Sequence, residues 1–331
     1  MFNIKPLLLL SLLCIPTVHY SQFTDVINSN RPGESMAAFS VGKTVIQAEL
    51  GFYGLQEKHS ILGYEVYGFG SDLQVRYGAF FEQMEFILDL QYQRENFYPD
   101  DLIPGHETHS GLKQTNIGVK YLIYDPMKNY QQKPNIYSWK ANHKFNWRNF
   151  IPAVGVYAGV NVDMSGDVFK RPTYPDYDTK LSPRLMLLTQ NQFGRFVVVT
   201  NIIGEKVGTG RESIDYVVTL TRGFNDRWSG LLEHQGFVSE FYADAIFRIG
   251  AAYLLAENIQ VDASIGANIK DTPAILNGGI GLSWRFDDNY NEIMLRLPGE
   301  DKKDKKTKDE KKIEKAAKKR KDAVEEAPVQ P

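Results

Sequence analysis

Charged side chains recur at alternate positions of several apolar segments, and they are the residues of this chain that could do chemistry. In residues 259–267, Asp262 stands between Val261 and Ala263, and apolar residues alternate with polar or small ones throughout. Side chains on a strand point alternately to opposite faces, so such a segment has one apolar and one polar face. The residues that share a place on a polar face are Glu49, Asp72, Arg76, Glu85, Asp89, Lys120, Glu233, Asp244, Arg248, Asp262 and Arg285.

The histidines raise the question of a metal or catalytic site. Residues 106–109 read His-Glu-Thr-His, but a metalloprotease motif has two residues between its Glu and its second His, on a helix, and here we expect a loop. His234 follows Glu233, yet no partnering serine stands out, and one histidine on a strand is usually structural. We predict no metal, no cofactor and no enzyme activity.

Repetition of the two-faced pattern predicts about twelve strands. The expected strands are 43–54, 71–78, 81–95, 116–124, 151–163, 183–193, 196–203, 214–223, 228–235, 242–254, 259–269 and 276–286, with the phase of the sixth and seventh less defined. Tight connections such as 194–195 alternate with longer ones such as 164–182. Outer-membrane barrels have short periplasmic turns and long external loops, so both termini should be periplasmic. The long connection 125–147 is the exception, and we interpret it as a periplasmic insert.

The first 21 residues have the plan of a secretory signal peptide. Lys5 precedes an apolar run at 7–15, and a polar end follows Pro16. The single cysteine, Cys14, lies in this segment, so the mature chain should contain neither a disulfide nor a thiolate metal site. No later stretch is apolar for long enough to be a spanning helix. The formal net charge is −2, which gives no reason to expect a nucleic-acid partner.

Export and strand pattern together predict an all-β protein. A soluble β-sandwich also alternates, but it rarely sets charge after charge opposite Val and Ile over so many long strands. We therefore expect a transmembrane antiparallel up-and-down β-barrel over 43–286, in the outer membrane of a Gram-negative bacterium. Lipid should contact the outer face of the barrel. The barrel-insertion machinery should bind the protein during biogenesis.

The two ends of the mature chain differ from the barrel. Residues 22–42, with Arg31, could lie in the periplasm or enter the lumen as a plug. The region 287–331 is a charged tail, with 12 Lys/Arg and 9 Asp/Glu in 300–331. It could be a solvated helix supported by Glu–Lys pairs, or it could contact peptidoglycan or a protein partner.

Ordered short motifs resemble one known family. They are Asn-Arg-Pro-Gly at 30–33, Val-Gly at 41–42, Gln-Ala-Glu-Leu-Gly at 47–51, Arg-Tyr-Gly at 76–78, Gly-Val-Lys-Tyr at 118–121, Glu233 and Gly-Leu-Ser-Trp-Arg-Phe at 281–286. Together they resemble the outer-membrane β-barrel family named after the meta-pathway of phenol degradation. The resemblance implies about twelve strands and a transporter of small, hydrophobic or aromatic solutes.

Two functions follow from these expectations. As a channel, the barrel would use the eleven charged residues as a selectivity lining. Alternatively, those residues would form a cross-strand ion-pair network that fills the interior, because twelve strands fall between filled eight-stranded barrels and open porins. A filled barrel would be a non-transporting subunit of an outer-membrane complex, docking through its wall, the 125–147 insert and the Lys-rich tail.

Overall fold

A computed structural model describes residues 27–99, 105–128, 147–169, 171, 180–209, 212–240 and 242–287. The signal peptide, most of the 125–147 insert and the charged tail after Asp287 lie outside these residues. The described chain forms twelve strands. They are β1 (Ile46–His59), β2 (Tyr64–Gly78), β3 (Met84–Tyr98), β4 (Glu107–Tyr124), β5 (Ala153–Val162), β6 (Leu181–Phe193), β7 (Phe196–Glu205), β8 (Ser213–Gly223), β9 (Trp228–Ser239), β10 (Ala243–Ala256), β11 (Ile259–Asn268) and β12 (Ala274–Phe286).

Each strand pairs antiparallel with its sequence neighbours, and β1 pairs with β12 to close the barrel. Closure runs from Ile46 opposite Phe286 to Lys58 opposite Ala274, so almost the full length of β1 is bonded on both sides. This leaves no unpaired sheet edge, as a barrel in lipid requires. The predicted twelve-stranded antiparallel all-β barrel is confirmed. Among the described residues, helical structure is limited to two short 3-10 turns, Trp147–Phe150 and Gly166–Phe169, neither of which could span a membrane.

The outer face of the barrel is apolar and exposed. Leu50, Phe52, Phe69 and Ile117 all point outward, and Phe69 is 62% exposed. A soluble protein would not leave so many large apolar side chains in water, but lipid is a suitable neighbour for them. The alternation of the sequence therefore comes from two environments, one on each side of the wall.

Several strands are longer than predicted. β1 continues to His59 and β2 begins at Tyr64, where the sequence indicated a loop from residue 55 onward, and β4 begins at Glu107 rather than at residue 116. On β1 the outward series changes from Phe52 to Gln56 and Lys58. Backbone pairing continues there, but the apolar face has ended, so the alternating signal is lost while the strand is not.

An even number of strands places the start of β1 and the end of β12 at the same end of the barrel. We call this the terminal end, and the opposite one the loop end. The loop end carries the connections 99–106 and 163–180, while the terminal end has the tight turns 194–195 and 257–258. Outward aromatic pairs lie near both ends, such as Trp228 with Tyr253 and Tyr67 with Tyr98. Such girdles mark the two membrane interfaces.

Candidate functional site

The chain before β1 lies inside the barrel. We call residues 27–43 the luminal segment. Its backbone N–H groups donate to inward-facing side chains of strands all around the wall: Glu49 on β1, Glu85 on β3, Gln190 on β6, Asn201 on β7 and Glu233 on β9. A segment without strand partners must satisfy its backbone groups by other means, and here the lumen side chains do so.

Individual contacts are specific rather than general. Glu49 accepts from the backbone N of Asn30 at 3.1 Å and from the Ser29 hydroxyl at 2.9 Å. Asn201 accepts from the N–H of Met36 at 2.6 Å and donates to the carbonyl of Met36 at 2.9 Å. An asparagine that bonds both groups of one residue imitates a strand partner, so the wall offers a fitted path for this segment.

Arg31 is the main charged anchor of the luminal segment. Its guanidinium pairs with Asp72 on β2, and its Nε lies 3.4 Å from a carboxylate oxygen of Asp262 on β11. The group rests on the backbone at Gly51 and Gly281, where any Cβ would overlap its atoms. Two glycines on neighbouring strands therefore make room for the side chain, and β1, β2, β11 and β12 are tied to one residue of the segment.

Gly281→Ala should destabilise the folded barrel by about 1–3 kcal/mol, because Arg31 must leave its place and Asp262 loses its counter-charge. The matched control is Gly54→Ala on β1, where an added Cβ meets nothing within 4 Å. Urea unfolding of the protein in detergent micelles measures both. Equal stability of the two variants would contradict this placement of Arg31.

A second cluster joins four strands beneath the segment. The Nε of Arg76 lies 3.1 Å from Glu85, its Nη1 lies 3.3 Å from Glu49, and Lys120 lies 2.6 Å from Glu85. All four side chains are at most 1% exposed. Lys120 also donates to the carbonyls of Ala37 and Phe39 at 2.9 and 2.8 Å. The cluster thus neutralises itself and binds the luminal segment at the same time.

The opposite face of the segment is apolar. Met36 and Ala38 form a buried cluster with inward residues of β3 to β8, against which Phe39 also packs. The wall members of this cluster are Ile87, Leu122, Ala153, Tyr157, Met186, Leu188, Ile203 and Val217. A water-filled lumen would not favour these side chains on its inner wall. They are there because the segment covers them.

Every strand takes part in closing the lumen near the terminal end. Each contributes an inward-facing residue that is at most 7% exposed: Glu49, Arg76, Glu85, Lys120, Tyr157, Leu188, Asn201, Val217, Glu233, Arg248, Asp262 and Ser283. In an open channel of this width such side chains would be hydrated. The layer is therefore filled, and the filling material is the luminal segment.

The remaining predicted residues also face inward. Glu233 pairs with Arg248, accepts from Thr219 at 2.7 Å and receives the N–H of Glu34 at 3.0 Å. Asp244 accepts from Asn268 at 2.7 Å. Arg285 lies near the terminal end with Asp287 at 2.8 Å, and Asp89 accepts from Gln74 at 2.6 Å. Eight of the eleven predicted residues belong to the three charged groups around the segment, whereas Asp89, Asp244 and Arg285 stand apart.

Above the filled layer, toward the loop end, the lumen contains a cavity of about 550 Å³. Its floor is formed by residues 30–36 of the luminal segment. Its wall is mostly polar: Glu49, Tyr53, Asp72, Gln74, Asp89, Gln91, Gln93, Lys113, Gln114, Asn116, Asn161, Arg184, Glu205, Lys206, Asp215, Gln235, Arg248, Ser264 and Asn277, with a few apolar residues such as Met186 and Ile203. A cavity of this size and lining suits a small hydrophilic solute.

Arg171, which lies between β5 and β6 in the chain, contacts two other strands near the loop end. Arg171 donates to Glu95 on β3 at 2.6 and 3.1 Å and to Glu57 on β1 at 3.0 Å. Burial alone would lower the pKa of this guanidinium, but the bonds and charges of Glu95 and Glu57 outweigh it and raise the pKa above the ordinary arginine value. Arg171 thus links the chain between β5 and β6 to β1 and β3, which are not neighbours of either strand.

His234 and Glu233 do not form a reactive pair, although they are neighbours in sequence. His234 lies on the outer face, between Tyr216 and Phe247 at ring distances of 5.4 and 4.6 Å, whereas Glu233 points inward. Residues 107–109 belong to β4, so the expectation of a loop there was wrong. The ring of His109 lies 3.5 Å from Glu95 and 3.4 Å from Glu107. Within the described ranges, no three His, Cys, Asp or Glu side chains are grouped to hold a metal.

Sequence reasoning missed several lumen residues. Asn201 and Gln190 lie on the two strands whose phase was undefined, although both have inward parity. Lys113 is turned toward the cavity by a bulge, since Gln91 pairs with Gln114 while Tyr92 pairs with Leu112. Arg184 and Glu205 form an ion pair at 2.8 Å near the loop ends of β6 and β7. If every second residue of each strand had been assigned to the inner face, most of these residues would have been identified. Lys113 would still have been missed, because the bulge changes which residues face inward.

Comparison with known structures finds other membrane barrels. The COG4313 outer membrane channel from Pseudomonas putida F1 is 8% identical, with a TM-score of 0.49 over 78% of this chain and 100% of that chain. The translocator domain of autotransporter NalP from Neisseria meningitidis is 9% identical, with a TM-score of 0.43 over 73% and 88%. The CymD monoaromatic hydrocarbon channel is 10% identical, with a TM-score of 0.41 over 74% and 89%. At such values these likenesses carry no argument about what this chain does.

A search of curated proteins found no match. The family comparison is decisive, because the model described as "Putative MetA-pathway of phenol degradation" matches residues 29–286. That range begins inside the luminal segment and ends at the last residue of β12, so it covers most of the segment and the whole barrel. The resemblance predicted from the motifs is thereby confirmed, and the chain belongs to this family.

Proposed function

We propose that the protein is an outer-membrane channel for small solutes, and that the luminal segment is a plug that controls passage. One observation carries the proposal. A polar cavity of about 550 Å³ opens above a filled layer, and the layer is closed by a segment that belongs to no strand of the wall. Such a segment can leave without breaking the barrel, because the barrel closes through β1 and β12.

The lining favours a hydrophilic solute over a hydrocarbon. Asp89, Lys113 and Asn116 face the cavity, as do charged residues on the opposite wall such as Asp215. A hydrocarbon would strip water from these groups and offer no hydrogen bond in return, at a cost of about 1–3 kcal/mol for each group left unpaired. The charges of both signs would also admit polar solutes without strong preference for one sign.

The proposal includes a place in the cell. Export by the signal peptide at 1–21, insertion by the barrel-assembly machinery and a periplasmic terminal end would put the plug at the periplasmic side of the cavity. The tail at 300–331 would then reach the periplasm, where its charges could meet peptidoglycan or a protein partner. We propose transport rather than catalysis, because His234 lies on the outer face of the barrel while its neighbour Glu233 points inward.

A second candidate is a non-transporting subunit of an outer-membrane assembly. It is favoured by the completeness of the buried layer, to which all twelve strands contribute. Planar-bilayer conductance separates the two candidates. A channel should open in brief events as the intact protein and steadily when residues 28–41 are replaced. A structural subunit should stay silent in both forms and should co-purify with partners under gentle detergent extraction.

A further inference from the structure

One side of the cavity carries a row of polar residues that the ion pairs leave unused. Asp89 on β3 stands opposite Asn116 on β4, which stands opposite Asn161 on β5. All three line the cavity. Side chains directly opposite on neighbouring strands have Cβ atoms about 5 Å apart, so the three polar ends lie within reach of one small molecule.

The asparagines of this row have buried polar atoms without partners. Asn116 is 1% exposed, and neither its amide nitrogen nor its amide oxygen has a hydrogen-bond partner. The Oδ1 of Asn161 and the hydroxyl of Tyr157 are in the same condition. By contrast, both the oxygen and the nitrogen of the Asn201 amide form hydrogen bonds with the backbone of Met36. Unpaired buried polar groups cost stability, so their presence in a cavity wall points to an occupant of the cavity that forms hydrogen bonds.

Two glycines lie next to this row on the inner wall. Gly118 and Gly159 are paired across β4 and β5, two residues along from the pair Asn116–Asn161. Lys120 and Tyr157 form the next inward-facing pair, two residues further toward the terminal end. The Tyr157 ring lies over both glycines, and a Cβ at Gly118 would come within 2.7 Å of its Cε2. The ring therefore lies along the wall, with its hydroxyl directed toward the asparagines. We call Asp89, Asn116 and Asn161 the polar niche.

We propose that the polar niche binds a neutral polyhydroxylated solute of about monosaccharide size. Asn116 offers a donor and an acceptor, and Asn161 and Asp89 offer acceptors. Sugar hydroxyls both donate and accept, so they complement this set. Asp89 disfavours an anion, and a hydrocarbon would leave every group unpaired. The volume of about 550 Å³ lies in the usual range for small-molecule sites.

Binding of glucose to the folded protein in detergent tests the niche, by saturation-transfer NMR and by the rise in melting temperature. Wild type should bind glucose saturably, and phenol and benzoate should bind at least tenfold more weakly. In Asn116→Leu, glucose affinity should fall at least tenfold. The melting temperature without sugar should hold or rise, since an unpartnered amide has been removed. Asn96→Leu, which changes the same residue type on β3 but outside the cavity lining, should bind as wild type does.

Three results would overturn the niche: no saturable glucose binding by wild type, tighter binding of phenol or benzoate, or unchanged binding by Asn116→Leu. A fall of several degrees in unliganded Asn116→Leu would also overturn it, because the amide would then be bonded within the protein. Asn161→Leu replaces that variant if it does not fold. The niche rests on the proposed function only for how a solute arrives. Glucose binding without conductance would reject the channel but support the niche. Conductance without glucose binding would support the channel but reject the niche.

Discussion

Replacing residues 28–41 by a glycine–serine sequence of equal length should turn a barrel that opens rarely into one that conducts steadily. The native segment is held by Glu49, Glu233 and Asn201 through backbone hydrogen bonds and by Arg31 through Asp72 and Asp262. Each neutral hydrogen bond contributes about 0.5–1.5 kcal/mol net, and bonds to charged groups contribute more. Loss of two or three such interactions shifts the ratio of closed to open states by roughly ten- to a hundredfold.

The substitution removes more than polar contacts. Met36 and Ala38 cover an apolar patch that includes Leu188 and Val217. A glycine–serine sequence cannot cover this patch, and glycine also pays a larger entropic cost on ordering. The carboxylates left behind, such as Glu49 and Glu233, would face water rather than protein. Hydration then replaces their lost partners, so the barrel should still fold.

Time-averaged conductance in planar bilayers measures the effect, with heat-modifiable migration on gels as the check for a folded barrel. Deletion of 28–41 is the second variant, in case the replacement sequence re-enters the lumen. Lys58→Met, an exposed substitution on the outer surface near the loop end, should conduct as wild type does. A folded replacement variant with no more conductance than wild type would refute the plug.

Arg76→Met should destabilise the folded barrel by about 3–5 kcal/mol, far more than removal of an exposed charge. Arg76 is fully buried, and it balances Glu49 and Glu85 while donating to the carbonyl of Asn28 at 2.8 Å. Removal of one partner leaves buried carboxylates with too little compensation, which is the costly case for an ion pair. Lys120 alone cannot serve both acids, because its bond goes to Glu85.

The matched control for Arg76→Met is Lys58→Met, which removes the cation of an outer-surface pair with Glu65. That lysine is 59% exposed, so the expected loss is under about 1 kcal/mol. Urea unfolding in detergent measures both variants. Adding Glu85→Gln to Arg76→Met should restore part of the loss, because it removes one of the stranded charges. Similar losses for the two single variants would contradict a buried, tightly coupled cluster.

The architecture was accessible from sequence because its environment imposes a period of two. Lipid on one side and polar groups on the other make alternation visible in most strands, as at Val261 and Asp262. The same parity places all eleven predicted charged residues on the inner wall. The pattern fades where both sides become polar, as at Gln56 and Lys58, and there the predicted loops were too long.

The filling of the lumen could not be derived in this way. Alternation says that Glu49 faces inward, but it does not say that Glu49 meets the backbone of Asn30. The contacts of the segment also weaken the sequence pattern. Leu188 and Val217 face inward although they are apolar, so their strands do not alternate clearly between apolar and polar residues. The bulge at Lys113 shifts register within a strand, which no periodic pattern reveals. These features depend on contacts between distant parts of the chain.

A cysteine pair tests most directly whether the segment in the lumen controls passage. A Cβ at Gly155 would lie 3.7 Å from the Cα of Ala38, so cysteines at these two positions would be close neighbours, and Cys14 falls in the predicted signal peptide. Bilayer conductance of Ala38→Cys/Gly155→Cys should fall to the protein-free baseline on oxidation and return to the wild-type level on reduction. If the pair cross-links and conductance stays at the wild-type level, the luminal segment is not the gate.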